Sequence, residues 1–183
     1  MTEKRRCEWV EGQENIYLDY HDNEWGIPVY DDEKIFEMLI LECFQAGLSW
    51  ITILKKREHF REAYDNFDIN KIVEYDEDKI NSLMENKNII RHRKKIEASI
   101  NNAIIFKNIQ EEFGTFSDYI WSFTDKKILK NSDENYLTKS KTSDIITKDL
   151  KKRGMKFVGS VTIYSFLEAI GIIDNHTRDC YKY

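Results

Sequence analysis

Four side chains near the two ends of the chain have the chemistry to hold a metal. Cys7 and His21 are separated by thirteen residues, and His176 and Cys180 by three. On a helix the second spacing would set both side chains on one face. Zinc takes thiolate and imidazole ligands in a tetrahedron, and a closed set of four marks a structural site. Four protein ligands leave no open position for a hydrolytic water, so zinc hydrolysis is disfavoured. A metal held this way would staple termini that otherwise fray. The other two histidines, His59 and His92, sit beside basic residues on helical patterns. They read as surface or phosphate-contacting side chains.

A second group could bind a flat heterocycle. The stretch Tyr20-His21-Asp22-Asn23-Glu24-Trp25-Gly26 packs an imidazole, acceptor side chains and aromatics into seven residues. Trp9, Tyr17, Tyr20, Trp25 and Trp50 all lie near it in sequence. Aromatic rings of this kind serve either as core or as stacking platforms for an extruded base. Glu42 interrupts the apolar run from Met38 to Phe44. A carboxylate on an apolar face is costly unless paired or used, and burial would raise its pKa. Asp22 and Glu24 are alternative acids, either of which could instead orient the His21 imidazole.

The third element is a turn. Lys151-Lys152-Arg153-Gly154-Met155-Lys156-Phe157-Val158-Gly159 joins two helical patterns. The glycines allow a close backbone approach to phosphate, and the following helix start offers free N–H groups. Lys152, Arg153 and Lys156 would add counter-charge. A glycine-capped turn with exposed lysines is the plainer account of the same residues.

These residues must be positioned by helices. The chain has 183 residues, one proline (Pro28) and seven glycines. So few turn formers argue against many short strands and for long helices. At 41% hydrophobic and 13% aromatic the chain can bury a core. Residues 1–30 lack helical periodicity and read as an irregular aromatic arm. Asp31 and Asp32 begin a helix that should end near Gly47, and Trp50 begins the next. Asp68 and Asp76 are N-cap candidates for short pieces. Residues 91–113 form a long helix with Ile96, Ile100, Ala103, Ile104 and Phe106 inward. Phe116 to Phe123 is an aromatic knot, and 124–142 reads as a surface loop. Ser143 or Asp144 caps a helix to Arg153, and residues 160–170 form the last one. The expectation is one all-α domain over residues 1–183, with arm 1–30 packed on segment 174–183.

Three cysteines do not suggest a disulfide framework, and Cys43 reads as a buried hydrophobe. No apolar run is long enough to span a membrane, and the charged start, Met1 to Arg6, is not followed by a signal core. A cytoplasmic protein is expected. The net charge of −5 argues mildly against nucleic acid, but phosphates are met by local patches. Basic clusters at 55–57, 91–95 and 151–156 supply such patches.

Taken together, the blocks Cys7-Glu8-Trp9, Tyr20 to Gly26, Leu41-Glu42, Gln45 to Trp50, Ile89 to Arg93 and Lys152 to Gly159 occur in order along the chain. They resemble the signature of the bacterial 3-methyladenine-DNA glycosylase I family. The resemblance implies an all-α fold of the helix-hairpin-helix glycosylase superfamily and excision of 3-methyladenine from alkylated double-stranded DNA. It implies a structural zinc on Cys7, His21, His176 and Cys180. It implies that Glu42 and Tyr20 hydrogen-bond the base, and that Trp50 stacks on it within a pocket completed by Trp9, Tyr17 and Trp25. Glu42 is the candidate catalytic residue. Lys152, Arg153, Gly154, Lys156 and Gly159 are the candidate DNA contacts. Asp174 is not expected to act in catalysis, because it adjoins His176. A bacterial, cytoplasmic, monomeric, monofunctional enzyme without lyase activity is expected. The rival is a zinc-stapled DNA-binding module without catalysis. It fits the hairpin and the zinc, but it does not need aromatics gathered around Glu42.

Overall fold

A computed structural model describes residues 4–131 and 136–183. Among these residues the fold is built almost wholly from helices: α1 (Asn15–Asn23), α2 (Asp32–Gln45), α3 (Trp50–Ala63), α4 (Ile69–Ile72), α5 (Glu77–Glu85), α6 (Arg93–Phe113), α7 (Phe116–Ser122), α8 (Lys141–Lys152) and α9 (Ser160–Ala169). Two two-residue strands, β1 (Leu129–Lys130) and β2 (Ile173–Asp174), pair in parallel. They are the departure from an all-α expectation.

α2 is the central helix. It is buried continuously from Met38 to Phe44, and a helix apolar on all sides must be surrounded. α3, α6, α7 and α9 surround it. Its first turn is anchored electrostatically. Asp31 caps it by accepting from the Lys34 N–H. Asp32 accepts from the N–H groups of Phe116 and Ser117 and from the Gln110 side chain. One carboxylate thus joins the starts of α2 and α7 to the end of α6. The other end of α2 is closed by the buried Lys95 amine, which donates to the carbonyls of Phe44 (2.8 Å) and Ala46 (2.7 Å). Asp68 and Asp76 cap α4 and α5 as expected.

Some expectations change. α8 is capped by Ser140, with Ser143 returning the bond in a capping box, and not by Ser143 or Asp144. Ile104 points outward, at 46% exposure. Ile96, Ala103 and Phe106 face inward as expected, Ile100 is half-buried, and Ser99 and Asn102 complete the inner stripe. Two polar residues sit on it because both are satisfied. Asn102 bonds the N–H and C=O of Lys156, and Ser99 bonds the Ile96 carbonyl. The aromatic knot is core, with Phe106 stacked on Phe116 at 3.9 Å. The arm is not irregular throughout, since α1 carries Tyr17, Tyr20 and His21. His176 and Cys180 do not share a helix, because β2 and turns carry the chain past α9. The expected surface loop pairs in part as β1, and its residues 132–135 lie outside the described set.

The arm docks along the end of α9. The Gly26 N–H donates to the Glu168 carbonyl and the Val29 N–H to that of Ile170, both at 3.0 Å. Between them Gly171, at φ +72, lies against the Ile27–Pro28 peptide; a Cβ there would meet the Ile27 carbonyl carbon at 2.3 Å. Backbone of this handedness and closeness admits only glycine. Gly171→Ala should therefore lower stability by about 2–4 kcal/mol. Urea denaturation would show this as a fall in midpoint, and an unchanged midpoint would contradict the close approach.

Candidate active site and metal cluster

A cavity of about 220 Å³ opens where the arm, α2, α3 and α9 meet. It is lined by all six residues singled out for base binding: Trp9, Tyr17, Tyr20, Trp25, Glu42 and Trp50. Their convergence follows from the helices. Tyr17 and Tyr20 lie about one turn apart on α1, Glu42 lies on buried α2, and Trp50 opens α3. Trp9 packs edge-on against Tyr17 (5.0 Å) and Trp25 (4.9 Å), and Tyr20 against Trp50 (5.4 Å). Aromatic pairs prefer such tilted contacts, which keep the walls rigid.

Three polar atoms in these walls lack any partner among the described residues: Glu42 Oε2 and the indole nitrogens of Trp9 and Trp50. Buried unpaired donors and acceptors are costly and uncommon. Here one acceptor and two donors belong to the walls of the same cavity, a set that a heterocycle with polar edges could satisfy.

Sequence reasoning missed Gln45, Tyr136, Ser165 and Glu168, which also line the cavity. Glu168 carried a usable signal. It interrupts the apolar pattern of α9 just as Glu42 interrupts that of α2. Both glutamates are buried. Burial pushes the Glu42 carboxyl well above the ordinary range, and the nearby Glu168 adds to the shift. Burial also raises Glu168, to about 8, against hydrogen bonds from Asn175 and Tyr136 that favour its charged form. Two acids in one apolar cavity oppose joint ionisation.

Cys7, His21 and Cys180 come together next to Trp9 and Trp25, whose rings stand 5.5 and 5.8 Å from that of His21. Their ligand atoms lie within 4.8 Å of one another, and all three are buried. His21 Nε2 faces the Cys180 sulfur at 3.5 Å. His176 falls outside that group of three, yet its ring stands 5.3 Å from the ring of His21. Its Nε2 is buried without a partner among the described residues. Each imidazole is held at Nδ1 by a carboxylate: His21 by Asp22 (2.9 Å) and His176 by Asp174 (2.7 Å). Of the two acids considered for His21, Asp22 takes the role; Glu24 pairs instead with Arg57. Asp174, set aside for catalysis, has this orienting place. Burial lowers both histidine pKa values, which favours the neutral, ligating form. The donor set and the orphaned Nε2 fit a thiolate–imidazole metal site with carboxylate support. Gly26 belongs to this site: a Cβ there would meet His176 Cε1 at 2.6 Å.

The turn between α8 and α9 keeps Gly154 at φ +99 and Phe157 at φ +57. Asn101 and Asn102 of α6 grip its backbone at Gly154 and Lys156. Gly159 starts α9 without a side-chain cap, which leaves first-turn N–H groups for an anion. Lys152 and Lys156 are exposed. Arg153 is engaged elsewhere, in ion pairs with Glu112 and Asp149. His92 is exposed, as expected of a surface side chain, and its ring caps α6 by accepting from the Lys95 N–H.

The buried acids make a pH prediction. A carboxyl whose pKa rises on folding stabilises the fold at low pH and loses that contribution as pH rises through its folded value. For Glu168 the window runs from 4.5 to about 8. Glu168→Gln should therefore gain stability relative to the unchanged chain between the two ends of that window. Urea melts at both ends check this, and a constant difference would contradict the buried acid.

The family model described as methyladenine glycosylase matches residues 9–183. DNA-3-methyladenine glycosylase of Haemophilus influenzae is 46% identical over 178 residues, covering 96% of each chain. A crystal structure of 3-methyladenine DNA glycosylase I has a TM-score of 0.93 at 43% identity and spans 97% of this chain and 98% of that one. Another, of a variant of that enzyme in complex with 3-methyladenine, has a TM-score of 0.92 at 40% identity over 96% of each. On this sequence and fold similarity across nearly its whole length, the chain belongs to the methyladenine glycosylase family.

Proposed function

We propose that the chain is a DNA repair enzyme that hydrolytically releases 3-methyladenine from alkylated double-stranded DNA. The observation that carries this reading is the aromatic cavity with its buried, unpartnered Glu42 oxygen, in a family whose relatives are named for that base. Methylation at N3 makes the adenine of a nucleotide cationic and a good leaving group. The glycosidic electron pair departs with the base, which leaves neutral, and water adds to the sugar carbon and loses a proton. Little acid catalysis is required. The protein must extrude the nucleotide and hold the base in place. Trp50 stacks on the base, Trp9, Tyr17 and Trp25 enclose it, and Tyr20 and Glu42 hydrogen-bond its edge. The negative charge available to Glu42 favours the cation. Among the described residues no lysine lines the cavity, which supports a monofunctional glycosylase without lyase activity.

The α8–α9 turn is read as the hairpin of a helix-hairpin-helix element. Its backbone at Gly154 and Gly159, with Lys152 and Lys156, meets phosphates, and Arg153 contributes through the turn's shape. Residues 1–183 act as one domain, a monomer in the bacterial cytoplasm. No helix among the described residues is long and apolar enough to cross a membrane. Zinc is held by Cys7, His21 and Cys180, with His176 as fourth ligand. When bound it supplies folding energy and no reaction chemistry.

Release of 3-methyladenine from methylated DNA tests the reading. Glu42→Gln and Trp50→Ala should each cut release by roughly tenfold to a hundredfold while remaining folded. Full activity in Glu42→Gln would remove that residue from the site, and no release by folded, zinc-loaded protein would favour a DNA-binding module. Metal analysis should find zinc in the purified chain and lose it in Cys180→Ala, with a lower melting temperature. Zinc content unchanged by that substitution would contradict the ligand set.

A further inference from the structure

Glu168 is the second carboxyl of the cavity, and the reading above gives it no role. It lies on α9 at 4% exposure. Its Oε1 accepts from the Asn175 side chain at 2.6 Å, and the Tyr136 phenol hydrogen-bonds the same carboxyl. Asn175 is itself fixed by an amide hydrogen bond from Asn131 at 2.6 Å. A glutamine at 168 could accept from Asn175 and donate to Tyr136, so shape and hydrogen bonding do not demand an acid. Burying an acid beside Glu42 is costly. Glu42 lines the same space, and its Oε2 is buried with no partner among the described residues. The cavity therefore holds acid capacity beyond what the protein itself uses.

We propose that Glu168 is a second base-reading acid of the cavity, which with Glu42 selects an alkylated base bearing positive charge over neutral bases of the same outline. This rests on the glycosylase reading. A neutral base gains only stacking and hydrogen bonds within the aromatic walls. A cationic base gains in addition by favouring the ionised form of carboxyls that burial otherwise holds neutral, an attraction strengthened by surroundings of low dielectric. The positive charge is present in the bound lesion and vanishes as the base departs neutral. Glu168 thus acts on capture more than on bond breaking, and its loss should raise KM more than it lowers kcat.

The test uses the full chain and two duplexes. One carries 3-methyladenine, which is cationic in DNA. The other carries 3-methyl-3-deazaadenine, a neutral isostere without the cationic ring nitrogen. Glu168→Gln should raise KM for the cationic lesion by roughly tenfold or more. Its affinity for the neutral duplex should match that of the unchanged chain. Glu168→Asp, which keeps the charge, should recover part of the preference. Unchanged KM in Glu168→Gln, equal losses on both duplexes, or equal defects in the Asp and Gln variants would overturn the proposal. An unchanged chain that releases no 3-methyladenine would overturn the glycosylase reading with it.

Discussion

The structure depends on the docking of the N-terminal arm onto the end of α9 and the segment beyond it. Two backbone hydrogen bonds, from Gly26 and Val29, bracket the contact, and Gly171 lets the two chains touch at the Ile27–Pro28 peptide. Farther out, Cys7, His21 and Cys180 converge, and Arg6 is paired with Asp22. The arm brings Trp9, Tyr17, Tyr20 and Trp25, four of the five aromatic walls noted from sequence. Without that docking α2 would still present Glu42, but to an open groove. The Cys7–His21–Cys180 cluster bears on the cavity, because the His21 and His176 rings pack against Trp9 and Trp25 of its wall.

Burial then sets the electrostatics. A carboxyl in water is an ordinary acid; enclosed by indoles and phenols it resists ionisation and holds unspent hydrogen-bonding capacity. The protein bears this cost at Glu42 and again at Glu168, next to unpartnered indole N–H groups. A surface groove with the same residues would be satisfied by solvent and would discriminate poorly. The α6 helix adds a separate constraint. Lys95 closes the end of α2 between Glu42 and Trp50, and Asn102 grips the α8–α9 turn at Lys156. One rigid helix thereby sets the spacing between the cavity and the candidate phosphate-binding turn.

Much of this was legible in the sequence where the signal was local. The caps Asp31, Asp68 and Asp76, the boundary near Gly47 and the apolar run around Glu42 each declare themselves within a few residues. The convergence of the six base-binding candidates was expected from their chemistry together with the family resemblance. What stayed hidden was set by tertiary partners. Ile104 faces outward because Asn102 is satisfied by the distant turn and takes the inner stripe. His176 and Cys180 have helical spacing, yet β1 draws the preceding residues into a strand. The orienting carboxylate of Asp174 became visible only with the His176 ring beside it. Glu168 was overlooked although it breaks an apolar helix as Glu42 does.

The central claim is that the enclosed cavity binds the damaged base itself. Its most direct test is equilibrium titration of the zinc-loaded chain with free 3-methyladenine, followed by tryptophan fluorescence. Trp9, Trp25 and Trp50 line the cavity, so occupancy should quench emission in a saturable way that adenine does not reproduce at the same concentration. Absence of saturable quenching, with no heat of binding by calorimetry, would contradict the account.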